Sequence, residues 1–120
     1  MIKLVQCIHS RPGLSPMEFR NAWKRYGELL RASLDTLGAS EVELTTTLAV
    51  EANVELILSR DTAEPFQAMA EIWWDNATVL EEALETPEGT ALVERIREFQ
   101  ETFMDIPRCA FFFAFQEPEG

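Results

Sequence analysis

The sequence has little of what metal-dependent and nucleotide-dependent proteins use. Its 120 residues include a single histidine, His9, and two cysteines, Cys7 and Cys109, which lie far apart in the chain. Metal sites need several such side chains close together, and neither a glycine-rich phosphate loop nor a nucleophile elbow occurs. We therefore expect no metal and no cofactor, since even haem would depend on His9 alone. The cysteines lie in apolar runs and are expected to be reduced.

Basic residues are scarce too. Ten Lys and Arg stand against 21 Asp and Glu, and the formal net charge of −11 argues against nucleic acid as a partner. No apolar run approaches the ~20 residues of a membrane-spanning helix, and the N-terminus lacks the order of a signal peptide. The sequence predicts a cytoplasmic protein with neither a nucleic-acid nor a membrane partner.

What the chain does contain is enough hydrophobic material for one core. Hydrophobic residues make up 47% of it, and this length predicts one domain, residues 1–120. The clearest element is a helix from Ser15 to Leu37, where Ser15 and Glu18 form a capping box. Apolar residues then recur at three- and four-residue spacing, and Gly38 ends the helix.

The rest of the chain shows strand and helix patterns. Helices are predicted from Ala77, and again from Pro87 until Pro107. Within residues 51–67, the pattern at 54–58 fits either a short strand or a single helical turn. A polar segment, Glu117–Gly120, follows the last strand. Strands are predicted at Ile2–Ser10, Glu41–Val50, Ala68–Trp74 and Cys109–Gln116.

This order predicts an α+β fold with a four-stranded antiparallel sheet and helices on one side. The first, third and fourth strands are apolar on both faces, whereas a sheet open to water alternates apolar with polar residues. Leaving those side chains wet would forgo roughly 1.5–3 kcal/mol each. We therefore predict that a second copy covers the free face and closes a dimeric α+β barrel. A monomer with residues 51–67 as a lid is the alternative.

Several runs of the sequence resemble the EthD family, named for ethyl tert-butyl ether degradation, within the dimeric α+β-barrel superfamily. The resemblance implies a ferredoxin-like βαββαβ fold and a homodimer. It implies less about chemistry, because superfamily relatives include polyketide cyclases, cofactor-independent monooxygenases and lactone isomerases. The runs are Met1-Ile2-Lys3-Leu4-Val5, Arg11-Pro12-Gly13-Leu14-Ser15-Pro16, Glu18-Phe19-Arg20, Trp23, and Ala70-Glu71-Ile72-Trp73 with Asp75.

One position departs from the family pattern. Where the first helix of the family often carries a histidine in a W-x-x-x-H-A-P-L segment, this chain has Gly27. A proton-transfer role for that histidine therefore does not carry over. A glycine inside a helix costs about 0.5–1 kcal/mol relative to alanine. It either makes room for a ligand or a close backbone approach, or it is a neutral substitution.

Two side chains are candidates for proton transfer. His9, at the end of the first strand, exchanges protons near neutral pH if its pKa is the usual one of about 6.5. Glu71 lies in a strand that should be central, where it can act as a general base or accept a hydrogen bond. The structural alternatives are a solvated histidine at a strand end, which we favour, and an ion pair of Glu71 with Arg60 or Arg108.

Four further residues are candidates for substrate binding. A cleft between a sheet and its helices suits a flat apolar substrate, and Trp23, Tyr26 and Trp73 are available to line it. Tyr26 adds a hydroxyl, and Gln6 can orient a carbonyl. The alternative is that the aromatic residues belong to the core and that Gln6 pairs with a neighbour.

The sequence thus predicts a homodimer that acts on a hydrophobic or aromatic small metabolite. It is either a cofactor-independent isomerase, cyclase or monooxygenase, or a non-catalytic carrier that holds an organic intermediate for an oxygenase system. A third possibility is a purely structural dimer with a filled interior. The position of His9 and Glu71 distinguishes catalysis from carriage, because carriage is favoured if both side chains face away from every cavity.

Overall fold

A computed structural model describes residues 1–117. The predicted polar segment Glu117–Gly120 therefore lies, from residue 118 onward, outside the described residues. A short 3-10 turn, Ile106–Arg108, leads into the last strand. The main elements, in chain order, are β1 Ile2–Ile8, α1 Pro16–Ala32, α2 Leu34–Leu37, β2 Glu41–Thr46, α3 Glu51–Arg60, β3 Ala68–Trp74, α4 Ala77–Glu85, α5 Pro87–Phe103 and β4 Ala110–Phe115.

The four strands form one antiparallel sheet in the order β2-β3-β1-β4. This confirms the predicted α+β, ferredoxin-like βαββαβ architecture. In the register, Gln6 of β1 is paired with Ala70 of β3 on one side and with Phe111 of β4 on the other. Alternate residues from these three therefore share one face, and the core against the helices is built on that face.

Helix α1 begins as predicted but ends early. The Ser15 hydroxyl accepts a hydrogen bond from the Glu18 amide at 3.1 Å, and the Glu18 carboxylate accepts one from the Ser15 amide at 3.0 Å. The helix was expected to continue to Leu37, but it stops at Ala32. At Ser33 the hydroxyl bonds back to the Leu29 carbonyl at 2.6 Å, and such bonds compete with helix geometry.

Residues 51–67 hold a longer helix than either sequence interpretation allowed. Helix α3 spans ten residues, and it buries none of them. β2 is correspondingly shorter than predicted and ends at Thr46. The helix lacks a side-chain N-cap and ends at Asp61, whose φ of 53° is left-handed. A helix without a side-chain N-cap and with Asp61 in place of a C-terminal glycine is difficult to predict from sequence, and the sequence analysis did not predict α3.

The second face of the sheet is here called the open face, because within residues 1–117 the core against the helices is built on the first face. Lys3, Val5 and Cys7 of β1 point to it, with Glu71 and Trp73 of β3 opposite them. On β4 it carries Phe112, which is 48% exposed. None of these side chains belongs to the core cluster. Helix α3 buries none of its own residues, which does not support residues 51–67 as a lid over this face.

Within residues 1–117, no helix combines the length and the hydrophobicity that crossing a lipid bilayer requires.

Candidate functional site

A cavity of about 230 Å³ lies between the sheet and the helices. Strands β1, β3 and β4 form its floor, and α4 and α5 contribute to its walls. The Trp74 indole N–H is already bonded to the Leu37 carbonyl at 2.8 Å, so this side chain presents only ring carbons to the cavity. The surface is mainly apolar, with contributions from Leu4, Ile72, Trp74, Leu80, Phe111 and Phe113.

Polar groups occur at a few points of this wall. Of the described residues that line the cavity, Gln6 and Gln100 carry amides and Arg97 carries a charge. Arg97 is mostly exposed, and its guanidinium lies 3.8 Å from the Glu94 carboxylate. Asp, Glu, His and Cys side chains are absent from the described lining. The arrangement can bind and orient a ligand, but it offers little for proton transfer.

Behind the wall, Tyr26 joins the two glutamines. Its hydroxyl accepts a hydrogen bond from Gln100 Nε2 at 2.9 Å and donates one to Gln6 Oε1 at 2.5 Å. Tyr26 has no exposed surface. Burial raises the pKa of its phenol to about 12, although the hydrogen bonds with Gln100 and Gln6 oppose the shift. The phenol is therefore neutral at physiological pH.

Trp23 lies one layer further out. Its ring is 5.8 Å from that of Tyr26, centroid to centroid, and 6.2 Å from that of Phe19. It is 7% exposed and does not line the cavity. Trp23 therefore packs against Tyr26 as part of the core. This agrees with the alternative that it is a core residue and not a substrate contact.

Glu71 and Trp73 lie on the opposite side of the sheet from the cavity. Glu71 Oε2 is 2.6 Å from Lys3 Nζ, so its partner is Lys3 rather than Arg60 or Arg108. The Lys3 ammonium also lies 5.4 Å from the centre of the Trp73 ring. Glu71 and Trp73 therefore lie on the open face. A catalytic site there would be shielded from water only if a second sheet covered it.

His9 follows the end of β1. Its Nδ1 is 3.1 Å from Gln67 Oε1, and its ring centroid is 4.6 Å from that of Phe66. The residue is 7% exposed, so it is not a freely solvated histidine. Glu71 is paired with Val5 in the register, four residues before His9. The structure therefore does not place His9 and Glu71 side by side, and neither lines the cavity.

Gly27 is explained by packing. A Cβ at this position would overlap the end of the Leu44 side chain on β2. Gly27 does not line the cavity. Its role here is the close approach of α1 to the sheet, and not space for a ligand.

Both cysteines are free in the structure. The Cys109 thiol accepts a hydrogen bond from the His9 amide at 3.3 Å, and burial raises the pKa of both thiols. Among residues 1–117, no three His, Cys, Asp or Glu side chains are grouped in a way that could hold a metal ion.

Sequence reasoning missed Gln100 and Arg97. The sequence did contain a signal for Gln100. The apolar stripe of α5 runs through Leu92, Ile96 and Phe103, and Gln100 follows Ile96 by four residues. A polar side chain at that spacing sits on the buried side of the helix. Such a residue merits attention as a possible ligand contact.

Comparison with known proteins adds a family and a set of similar structures. The family model described as the EthD domain matches residues 11–107, a range that includes every element from α1 to α5. No curated protein sequence matches the chain.

Solved structures resemble this one at low sequence identity. An ethyl tert-butyl ether degradation family protein from Bacillus halodurans has a TM-score of 0.61 at 16% identity, with 98% of this chain and 99% of that one covered. A dimeric protein with a ferredoxin-like fold from Bacteroides fragilis has a TM-score of 0.62 at 11% identity, with coverages of 94% and 93%. SnoaB, a cofactor-independent oxygenase from Streptomyces nogalater, has a TM-score of 0.55 at 11% identity, with coverages of 98% and 94%. These likenesses establish the fold alone.

Proposed function

Because the chain belongs to the EthD family, we propose that it binds a hydrophobic or aromatic small metabolite in the cavity between its sheet and helices. The observation that carries the proposal is an apolar cavity of about 230 Å³ with amide groups at one part of its wall. Sites for small organic ligands commonly combine apolar walls with a few placed polar groups. A cavity of about 150 Å³ accommodates benzene in another protein, so this one suits a somewhat larger ligand.

Carriage of an organic intermediate is the function that the geometry supports best. Catalysis by proton transfer needs a titratable group within reach of the ligand. The described lining contains no carboxylate, imidazole or thiol, and burial raises the pKa of the nearby Tyr26 phenol to about 12, so it keeps its proton at neutral pH. The protein would then hold an intermediate for an oxygenase system rather than transform it.

Catalysis outside the cavity is a second candidate, in which Glu71 on the open face or His9 beyond the end of β1 supplies the acid–base group. The side chain of Glu71 is 14% exposed and lies beside Lys3, an environment in which a carboxylate can serve as a base once a second sheet covers it. The fold is shared with a cofactor-independent oxygenase. On this reading the protein is an isomerase, cyclase or monooxygenase.

We also propose a homodimer in which two open faces meet as an α+β barrel. Val5 and Trp73 lie on that face outside the core cluster, and Phe112 is 48% exposed there. A relative of the same fold is described as dimeric. Strands β1 and β4, from opposite ends of the chain, are paired, which supports a single domain over residues 1–120. Free cysteines fit a cytoplasmic location.

Ligand binding is tested by a thermal-shift screen of aromatic and ether-derived compounds, followed by calorimetry. Leu84→Trp fills the rim of the cavity, where Leu84 is 40% exposed, and Leu56→Trp on α3 is a control at 55% exposure outside the cavity. We expect the wild type and Leu56→Trp to bind equally and Leu84→Trp to bind about tenfold more weakly or worse. Equal binding by all three would place the site elsewhere.

Carriage and catalysis are then separated on the compounds that bind. The carrier function predicts that a bound compound is recovered unchanged. If product forms, Glu71→Gln and His9→Ala are assayed, and a loss of turnover in either variant supports a catalytic site outside the cavity. Turnover that is unchanged in both would remove that site.

A further inference from the structure

The hydrogen bonds behind the cavity have a defined direction. Tyr26 Oη is 2.9 Å from Gln100 Nε2 and 2.5 Å from Gln6 Oε1. The shorter distance lies at the short end of the range for O–H···O bonds and below the range for N–H···O bonds, and the longer one is typical of N–H···O bonds. With both amides turned over, an N–H···O bond would have to be 2.5 Å long, which is too short. The protons therefore point from Gln100 to Tyr26 and from Tyr26 to Gln6.

This direction leaves the amide nitrogen of Gln6 available. The carbonyl oxygen of Gln6 is occupied by Tyr26, and no hydrogen bond within residues 1–117 engages its Nε2. Gln6 is only 2% exposed. No side-chain nitrogen or oxygen among these residues is both fully enclosed and without a partner, so Nε2 must border open space. Gln6 lines the cavity, and the cavity is that space.

A buried amide with unused donors has a cost. A buried amide N–H that lacks a protein partner is unfavourable, and an acceptor brought in by a ligand relieves this. The three-member chain strengthens the donor, because each hydrogen bond polarises the next one in the same direction. Tyr26 also prevents the amide from turning its oxygen toward the cavity.

We propose that the ligand carries a hydrogen-bond-accepting oxygen, such as a ketone or quinone carbonyl, on an otherwise apolar skeleton, and that Gln6 Nε2 binds this oxygen. The proposal rests on the ligand-binding function proposed above and specifies its ligand class. Aromatic ketones fit the site, whereas plain hydrocarbons lack the acceptor. Protonated amines carry only hydrogen-bond donors and therefore do not suit the Gln6 N–H group.

The test compares molecules that share a skeleton. The probes are 1-tetralone, which has a carbonyl, and tetralin, which does not, and binding of each is measured by calorimetry. We expect the wild type to bind the ketone about tenfold more tightly, the factor that corresponds to roughly 1.4 kcal/mol. In Gln6→Leu the preference should vanish while tetralin binding remains. In Tyr26→Phe the amide is free to turn, and the preference should fall several-fold.

The outcomes separate the two proposals. If neither probe binds, the cavity is not a site for such ligands and the proposed function fails. If both bind equally to the wild type, or if Gln6→Leu keeps the preference, the function stands and the ligand class is wrong. Should Gln6→Leu not fold, the infrared carbonyl stretch of bound 1-tetralone decides, because a hydrogen bond from Gln6 lowers its frequency relative to an apolar solvent and an unchanged frequency overturns the proposal.

Discussion

Lys3 and Glu71 form an ion pair on the open face of the sheet, with Nζ 2.6 Å from Oε2. The two side chains are 25% and 14% exposed, so water screens the pair only in part. Pairs of this kind are weak evidence for net stabilisation, but removing one partner leaves the other charge without compensation.

Lys3→Met should therefore destabilise the protein by about 1–3 kcal/mol, because the mostly buried Glu71 carboxylate is then left without a partner. Glu71→Gln should cost less, since the remaining ammonium can still reach water. The double variant Lys3→Met/Glu71→Leu should recover most of the loss. Urea denaturation measures all three, and unchanged stability of Lys3→Met would show that the pair contributes nothing.

Tyr26 should titrate about two pH units above a free tyrosine. It is the single tyrosine of the chain, so tyrosinate absorbance reports this residue alone. Burial raises its pKa to about 12, against about 10 in the unfolded chain. The neutral phenol therefore contributes its full stability below about pH 10, and this contribution is lost as the pH rises toward 12. A native midpoint near 10 would contradict this, and Tyr26→Phe, which has no such titration, is the control.

Two helical glycines should respond differently to alanine. At Gly89 a Cβ would overlap the backbone oxygen of Ala83, so Gly89→Ala has to push α4 and α5 apart. We expect a loss of about 1–3 kcal/mol. At Gly27 the neighbour is the movable end of the Leu44 side chain, and the gain in helix propensity of about 0.5–1 kcal/mol should offset most of the displacement. Equal thermal denaturation of both variants would refute the distinction.

The open face should mediate self-association. Phe112 is 48% exposed there, and Met17, at the start of α1, is 67% exposed and serves as the control position. Phe112→Asp places a charge in the predicted interface, so it should convert a dimer into a monomer, whereas Met17→Asp should leave the dimer intact. Light scattering after size-exclusion chromatography measures the mass. A wild-type particle with the mass of one chain would remove the barrel.

The elements that could be predicted are those whose signals are local. The Ser15 capping box and the alternation along β1 depend on neighbouring residues, and the structure confirms both. Helix α3 was missed because none of its residues is buried, so no apolar stripe is required, and because the residue that ends it in a left-handed conformation is Asp61 rather than glycine.

The sequence indicated some residues of the site, but it could not indicate which of them are hydrogen-bonded to one another. Gln6 and Tyr26 were chosen for their chemistry, yet the bond between them spans 20 positions and depends on how α1 crosses the sheet. Gln100 became visible only once α5 was placed beside them. The face of Glu71 could be assigned only after the register of β3 against β1 was known.

Consecutive residues of β1 and β4 face different compartments. Val5 points to the open face and Gln6 to the cavity, and on the last strand Phe112 and Phe113 divide in the same way. Ligand choice and subunit pairing can therefore evolve independently by point substitution, since a change at one position leaves the adjacent compartment untouched. A single-residue deletion within β1 would instead exchange the two sets of side chains at once. Libraries for altered recognition should accordingly vary every second position of these strands and keep the others fixed.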